Sequence, residues 1–109
     1  MRIQIVARQC RIPDSVRLRA EEQVQKLSRF DRSLSSAEVI FEEEKHRKRV
    51  EGILSVDGEE PAVAHAEGDD FRGSLDRTVN RLEKILRRRK DQRNDHQGPK
   101  LSEVVNGGA

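Results

Sequence analysis

The segment from Asp70 to Lys90 constrains the fold most, because it reads as one amphipathic helix with two contrasting faces. Apolar side chains recur there every three or four residues, the spacing of one helical face; they are Phe71, Leu75, Val79, Leu82 and Leu86. Basic side chains follow the same period on the opposite face, as a ridge formed by Arg77, Arg81, Lys84 and Arg88. The apolar face requires a core to cover it, and the basic ridge suits an anionic partner.

The remaining elements follow from alternation and from a second helical pattern. Apolar and polar residues alternate over residues 2–8, 37–42, 50–56 and 62–67, which predicts four strands. Pro13 and Asp14 open another helix that closes near Phe30. Its predicted buried stripe is Val16, Ala20, Val24 and Leu27. Turns are expected at residues 33–36, at a hairpin loop over residues 45–48, and at Asp57-Gly58.

The predicted order is therefore β-α-β-β-β-α, an α+β fold whose outline matches that of double-stranded-RNA-binding domains. Both helices must cover one face of a four-stranded sheet, because no other segment is able to do so. The opposite sheet face is expected to be mostly wet, and it carries Gln4, Glu38, Ile40, Glu42, Glu51 and Ser55. Residues 1–90 are expected to form the single domain, and residues 91–109, where the periodicity fails, a disordered C-terminal tail.

Charge is distributed unevenly along the 109 residues. The net charge of +2 combines +4 over residues 1–35, −5 over residues 36–68, +4 over residues 69–90 and −1 over residues 91–109. This separation favours a polyanionic partner for one surface. The single cysteine excludes an internal disulfide framework. With no apolar run near the ~20 residues of a membrane span, and no signal peptide, we expect a cytoplasmic protein.

Catalytic chemistry has little support in the sequence. His46, His65 and His96 fall on a loop, a strand and the tail, without a second ligand at metal spacing. Cys10 has no partner histidine nearby, and the acidic run at residues 42–44 is best read as a solvated sheet edge. No glycine-rich phosphate loop is present. We therefore expect neither catalytic residues nor a metal or other cofactor.

Binding is better supported than catalysis. The first helix adds Arg19, Lys26 and Arg29 along one flank, and the hairpin loop is basic over residues 45–49. If the two helices pack side by side, their outer faces form a basic plateau that attracts phosphates without reading sequence. The competing interpretation is a charged helix face that merely contacts water. The chain has no Trp or Tyr and its three Phe suit core positions, which argues against base stacking.

Two stretches resemble a known family. Residues 44–51, Glu-Lys-His-Arg-Lys-Arg-Val-Glu, resemble the loop-and-strand signature of the ribosome hibernation promoting factors. That family includes ribosome-associated inhibitor A, and its members were formerly called sigma-factor modulation proteins. The stretch from Asp70 to Lys90 is similar to their second helix and residues 13–30 to their first, so the resemblance covers about residues 1–90. The chain departs from the family pattern at Arg72, where a Tyr is usual, and at Gly73-Ser74, which replaces an Ala pair.

The resemblance implies a non-enzymatic factor that binds the small ribosomal subunit, alone or in the 70S ribosome. Family members occupy the channel between head and body, where they overlap the mRNA and tRNA positions and stop translation during stress or stationary phase. Their cations contact 16S rRNA. Together with the charge pattern, this points to rRNA-binding candidates Arg19, Lys26, Arg29, Lys45, His46, Arg47, Lys48, Arg77, Arg81, Lys84, Arg87 and Arg88.

The family reading also implies a short form that lacks the C-terminal dimerisation domain of long members. Such a form is expected to be a monomer off the ribosome, with neither a membrane nor a small-molecule substrate as partner.

Three other functions remain open at this point. A free double-stranded-RNA-binding domain would grip phosphates with the N-terminus of its last helix, but here that end carries Asp69 and Asp70. A non-catalytic adaptor for acidic proteins and a small enzyme are the others. Both predict that the protein does not sediment with ribosomes.

Overall fold

The computed structural model describes residues 1–97, and it has the predicted order of elements. In chain order they are strand β1 (Arg2–Arg8), helix α1 (Asp14–Phe30), strand β2 (Leu34–Glu44), strand β3 (Arg47–Val56), strand β4 (Ala62–Gly68) and helix α2 (Phe71–Gln97). The sheet has the order β1-β2-β3-β4, in which β1 is parallel to β2 and the other neighbours are antiparallel. The predicted α+β fold is confirmed.

One hydrophobic core lies between the sheet and the two helices. Both predicted helical stripes are buried in it, together with the inward residues of the strands. The rings of Phe41 and Phe71 meet edge to face with their centroids 5.5 Å apart, which joins β2 to the start of α2. Both helices therefore cover the same face of the sheet, as the amphipathic patterns predict.

Helix α2 lies very close to β3, and Gly52 makes this approach possible. A Cβ atom on Gly52 would stand 2.6 Å from Cδ1 of the buried Leu82. Two buried hydroxyls tie the same surfaces together, because Ser74 Oγ donates to the Lys48 carbonyl at 2.7 Å and Thr78 Oγ1 donates to the Val50 carbonyl at 2.9 Å. These contacts fix the rotation of α2 about its axis, and so fix which residues face outward.

Two predicted turns are shorter than expected. Strand β2 begins at Leu34 rather than after residue 36, because Asp31 forms the turn by itself: its Oδ1 accepts bonds from the Ser33 N–H and hydroxyl. The hairpin between β2 and β3 turns on Lys45 and His46 alone, both with positive φ, as two-residue hairpins require. The Asp57-Gly58 turn is as predicted, with Gly58 at φ 77°.

Helix α2 does not stop at Lys90, so the predicted start of a disordered tail at residue 91 is wrong. The helix continues to Gln97, without the apolar period that marks its first part. Its continuation is held by charge: Arg93 pairs with Glu59 on the β3–β4 turn and lies 4.0 Å from the Asp31 carboxylate. The rest of the predicted tail, residues 98–109, lies outside the described residues.

The outer face of the sheet is less wet than predicted at one position. Ile40 is 5% exposed although its side chain lies on the face that no helix covers. In the strand register Val6 stands on one side of Ile40 and Glu51 on the other, and these neighbours shield it. The same face carries a charge ladder of alternating sign across the four strands, formed by Arg8, Glu42, Arg49 and Glu67.

The close contact at Gly52 predicts that Gly52→Ala destabilises the protein. The added methyl group must displace the buried Leu82 side chain, and overpacking of this kind costs roughly 1–3 kcal/mol. Urea unfolding measures the change. Ser55→Ala, on the outer face of the same strand, is the matched control and should change the free energy of unfolding by less than about 0.5 kcal/mol. Equal stability of Gly52→Ala and the parent protein would contradict this packing.

Candidate nucleic-acid interface

The two helices lie side by side and run in the same direction, so their cations form one broad surface. Near their starts, Arg19 of α1 makes a two-pronged ion pair with Asp76 of α2, at 2.9 and 3.1 Å. Near the end of α1, the Arg87 guanidinium of α2 lies over the ring of Phe30, 5.0 Å from its centroid. Lys26, late in α1, is therefore level with the second half of α2.

The first half of the basic ridge is engaged with the protein's own backbone. Arg77 donates to the Glu67 carbonyl at 3.0 Å, and Arg81 donates to the His65 carbonyl. Arg89, two further steps of four residues along the helix, donates to the Glu60 carbonyl at 2.7 Å. β4 is an edge strand, and these three arginines cover acceptors along its free edge and the turn before it. In the structure, the guanidinium groups of Arg77 and Arg81 are therefore already hydrogen-bonded within the protein, and their contact with a partner stays a prediction.

This arrangement has a simple geometric basis. Every fourth residue of a helix rises about 6 Å, and every second residue of a strand advances about 6.6 Å, so the two rows stay nearly in step. The helical row of residues 77, 81, 85 and 89 runs antiparallel to the strand row of residues 67, 65, 63 and 61. Arginine at three of the four helical positions is long enough to reach around the edge.

The second half of the ridge is open to solvent. Lys84 and Arg88 are exposed, and within the part of the chain that the structure describes they make no hydrogen bond or ion pair. Lys26 and Arg29 of α1 are exposed in the same way. Arg19, also a candidate, is half-buried, and the hydrogen bond to Asp76 raises the pKa of its guanidinium further. The four free cations are the best-placed phosphate ligands on this surface.

Phe30 lies under two cations of α2, a feature that the sequence did not reveal. The Lys90 ammonium is 4.8 Å from the ring centroid, and Arg87, which also pairs with Glu83 at 2.5 Å, is 5.0 Å away. Phe30 packs at the margin of the core and is half-buried, whereas Phe41 and Phe71 are buried, so the predicted core position is only partly enclosed for this one. The ring holds two cations of the surface in place through cation–π contacts.

The hairpin cations lie at the other end of the molecule, beside the start of α2. Lys45 and His46 form the exposed turn itself. Arg47 lies 3.9 Å from the Glu67 carboxylate and 3.8 Å from Asp69, and Lys48 lies 3.0 Å from the Glu43 carboxylate. The predicted plateau is thus two basic clusters, one at the hairpin and one along the second half of α2.

A partly buried ion cluster anchors the second half of α2. Glu59 pairs with Arg93 and lies 3.5 Å from Arg89, while Arg93 also approaches Asp31. Burial acts to raise the pKa of Asp31, but the hydrogen bonds from Ser33 and the nearby charge of Arg93 outweigh it, so the pKa is held below its usual value. The carboxylate is therefore charged in the folded protein and holds the helix in place.

The described residues offer no alternative site of chemistry. No group of three or more His, Cys, Asp or Glu side chains within them is arranged to hold a metal ion. Cys10 donates to the Phe41 carbonyl, and burial, with the charge of Glu43, raises the pKa of its thiol, which keeps it protonated. Within residues 1–97, no helix combines the length and apolar character needed to cross a membrane.

Comparison with known proteins identifies the family. The family model described as Sigma 54 modulation protein / S30EA ribosomal protein matches residues 3–94. The chain belongs to this family. The resemblance seen in the sequence is thus confirmed. Members of this family are ribosome-associated hibernation and modulation factors, and the class is generally non-catalytic. As a member of the family, this chain is a ribosome-binding protein that regulates translation.

Individual relatives support the assignment. The ribosome hibernation promoting factor of Azotobacter vinelandii is 33% identical over 98 residues, which are 89% of this chain and 90% of that protein. The ribosome hibernation promotion factor of Mycobacterium tuberculosis is 34% identical over 98 residues, but the match spans 45% of its length.

Two solved structures share the fold. A ribosomal subunit interface protein from Coxiella burnetii superposes with a TM-score of 0.77 at 25% identity, covering 84% of this chain and 99% of that one. The N-terminal domain of Thermus thermophilus Protein Y gives a TM-score of 0.71 at 26% identity, covering 81% and 98% respectively.

The Asp31 cluster predicts a pH-dependent loss of stability. Folding lowers the pKa of Asp31, so its charged carboxylate adds to the free energy of unfolding. This stabilisation is complete above the pKa of Asp in the unfolded chain, about 4, and is lost as the pH falls through the lower pKa of the folded protein. Asp31→Asn should therefore cost roughly 1–3 kcal/mol at pH 7, and the difference from the parent protein should shrink below about pH 4. Urea unfolding at several pH values measures both. A difference that is independent of pH would show that the carboxylate charge is not what stabilises this cluster.

Proposed function

We propose that this protein binds 16S rRNA in the decoding channel of the small ribosomal subunit, in the free 30S particle or the 70S ribosome. Bound there, it blocks the mRNA and tRNA positions during stress or stationary phase, so that ribosomes are stored inactive. The observation that carries the proposal is the free cation cluster of Lys26, Arg29, Lys84 and Arg88 on one helical surface, in a chain of this family. The mechanism is steric occlusion held by electrostatic attraction.

The candidate residues divide into two groups under this proposal. Lys26, Arg29, Lys84 and Arg88 contact phosphates directly, and Arg87 joins them from its position on the Phe30 ring. Lys45, His46, Arg47 and Lys48 form a second contact at the hairpin. Arg19, Arg77 and Arg81 contribute mainly through their charge, since their guanidinium groups already bind Asp76 and the carbonyls of β4. Such contacts recognise the backbone and shape of RNA rather than its sequence.

The charge at the start of α2 disfavours a free double-stranded-RNA-binding domain. Asp70 precedes the first helical residue, and a Cβ atom on Gly73 would stand 2.8 Å from its Oδ1 atom, so this carboxylate occupies the space beside the helix N-terminus. A phosphate at that position would meet a negative charge. The free cations instead line the second half of the helix, which supports an rRNA surface along the helix.

The ribosomal role also implies where the protein acts, what it binds and in which oligomeric state. The protein acts in the cytoplasm, catalyses no reaction, needs no cofactor and has neither a membrane nor a small-molecule substrate as partner. Off the ribosome it is a monomer, and residues 1–90 carry the ribosome-binding surface. A protein-binding adaptor is the alternative, and ribosome sedimentation separates the two.

The experiment is sedimentation of the protein with purified 30S and 70S particles at two salt concentrations. The parent protein should travel with the particles at low salt and leave them at high salt, because phosphate contacts release counterions. Lys84→Glu with Arg88→Glu should lower the affinity at least tenfold while leaving thermal stability nearly unchanged, because both side chains are exposed.

The matched control reverses two exposed arginines on the outer sheet face, Arg2→Glu with Arg8→Glu, which changes the net charge equally. This variant should still bind. If the parent protein stays at the top of a low-salt gradient, ribosome binding is refuted. If both double variants lose binding alike, net charge rather than the helical surface is responsible.

A further inference from the structure

One position in the row of arginines that covers the β4 edge is not an arginine. Opposite Val63 the helical row presents Ile85, which has no hydrogen-bond donor to offer. The gap is a shallow groove of about 390 Å³ between β4 and α2, and Lys84 and Arg88 form its outer rim. Val63 is 47% exposed, one of three large apolar side chains that the described residues leave open to water.

The backbone of Val63 points into this gap. In an antiparallel pair both backbone groups of a residue point to the same side, and that side alternates along the strand. The carbonyls of Pro61, His65 and Glu67 point to the free edge, since arginines donate to each of them. The register of β3 with β4 is regular, so Val63 has the same orientation. Among the residues that the structure describes, no side chain donates to its carbonyl.

The groove thus combines three features that one kind of ligand uses together. The edge offers an acceptor and a donor at Val63, the side chains of Val63 and Ile85 offer apolar contact, and Lys84 and Arg88 offer positive charge. An extended polypeptide is able to pair with a strand edge through its own backbone, and acidic side chains on it match the rim. An RNA strand would use the cations but not the edge, and the groove has no aromatic side chain on which a base would stack.

We propose that this groove binds an acidic, extended segment of a partner protein, which adds to β4 as a short strand at Val63. On the helix side of the added strand its carboxylates lie against Lys84 and Arg88, and on the opposite side its apolar side chains lie on Val63. Arg81 and Arg89 limit the pairing to a few residues, because they already cover the carbonyls on either side.

The site would regulate ribosome binding. Lys84 and Arg88 are also free cations of the proposed rRNA surface, so an acidic segment on the groove and the rRNA exclude each other. A protein carrying such a segment would release this factor from ribosomes. The competition rests on the proposed function, whereas the binding of the segment to the groove does not.

The test uses the full 109-residue chain, labelled with ¹⁵N, and a capped hexapeptide of alternating Glu and Val. Titration followed by NMR should give saturable shifts at the amides of residues 62–66 and 84–88. A twin peptide methylated on every backbone nitrogen should bind at least tenfold more weakly, because it is unable to donate to a strand edge. Lys84→Gln with Arg88→Gln should weaken binding of the first peptide about tenfold, whereas Lys26→Gln with Arg29→Gln should leave it unchanged.

Three results would overturn the proposal. Equal binding of the methylated twin would show that no strand is added. Equal binding to a capped Lys-Val hexapeptide would show that the rim does not select acids. Shifts at the same amides with a uridine hexanucleotide but none with the Glu-Val peptide would make the groove an RNA surface. Because no ribosome is present, these outcomes are separate from failure of the ribosome proposal, and displacement of the protein from 30S particles by the Glu-Val peptide then tests the competition.

Discussion

The packing of α2 on β3 is the contact on which the rest of the molecule depends. Gly52 lets Leu82 approach the sheet. Along the same strand, the hydroxyls of Ser74 and Thr78 donate to backbone carbonyls of β3. Since an α-helix turns 100° per residue, fixing these three positions fixes the direction of every other side chain on α2. The rotation of α2 therefore decides which of its cations face a partner.

That rotation divides the seven basic residues of α2 from Arg77 to Lys90 into three sets. One set leans over the β4 edge and the turn before it, where Arg77, Arg81 and Arg89 bind backbone carbonyls and protect the edge from pairing with another chain on both sides of Val63. A second set faces α1, where Arg87 and Lys90 lie over Phe30. The third set, Lys84 and Arg88, remains free and provides the charge for both proposed partners. The sequence shows one regular row of basic residues on this helix, but in the folded protein only some of them are free to bind a partner.

Periodicity predicted the buried half of this protein well. The stripes of both helices and the inward residues of the strands are as the sequence indicates, because burial imposes the periods that the pattern records. The features that were missed depend on distant partners. Helix α2 continues past Lys90 because Arg93 meets Glu59 across the fold, and Phe30 takes its cations from another helix. Which arginines reach β4 depends on the strand and helix rising nearly in step, which no local pattern reveals.

Under the proposed function, the helical surface, and not the outer sheet face, meets the ribosomal RNA. Photocrosslinking tests it directly, with a diazirine side chain placed either at position 84 on α2 or at position 55 on the outer face of β3. Both sites are solvent-accessible and neither belongs to the core. On 70S ribosomes, the side chain at position 84 should crosslink to 16S rRNA and the one at position 55 should not. Crosslinks to 16S rRNA from position 55 alone would show that the outer sheet face, and not the helical surface, meets the RNA.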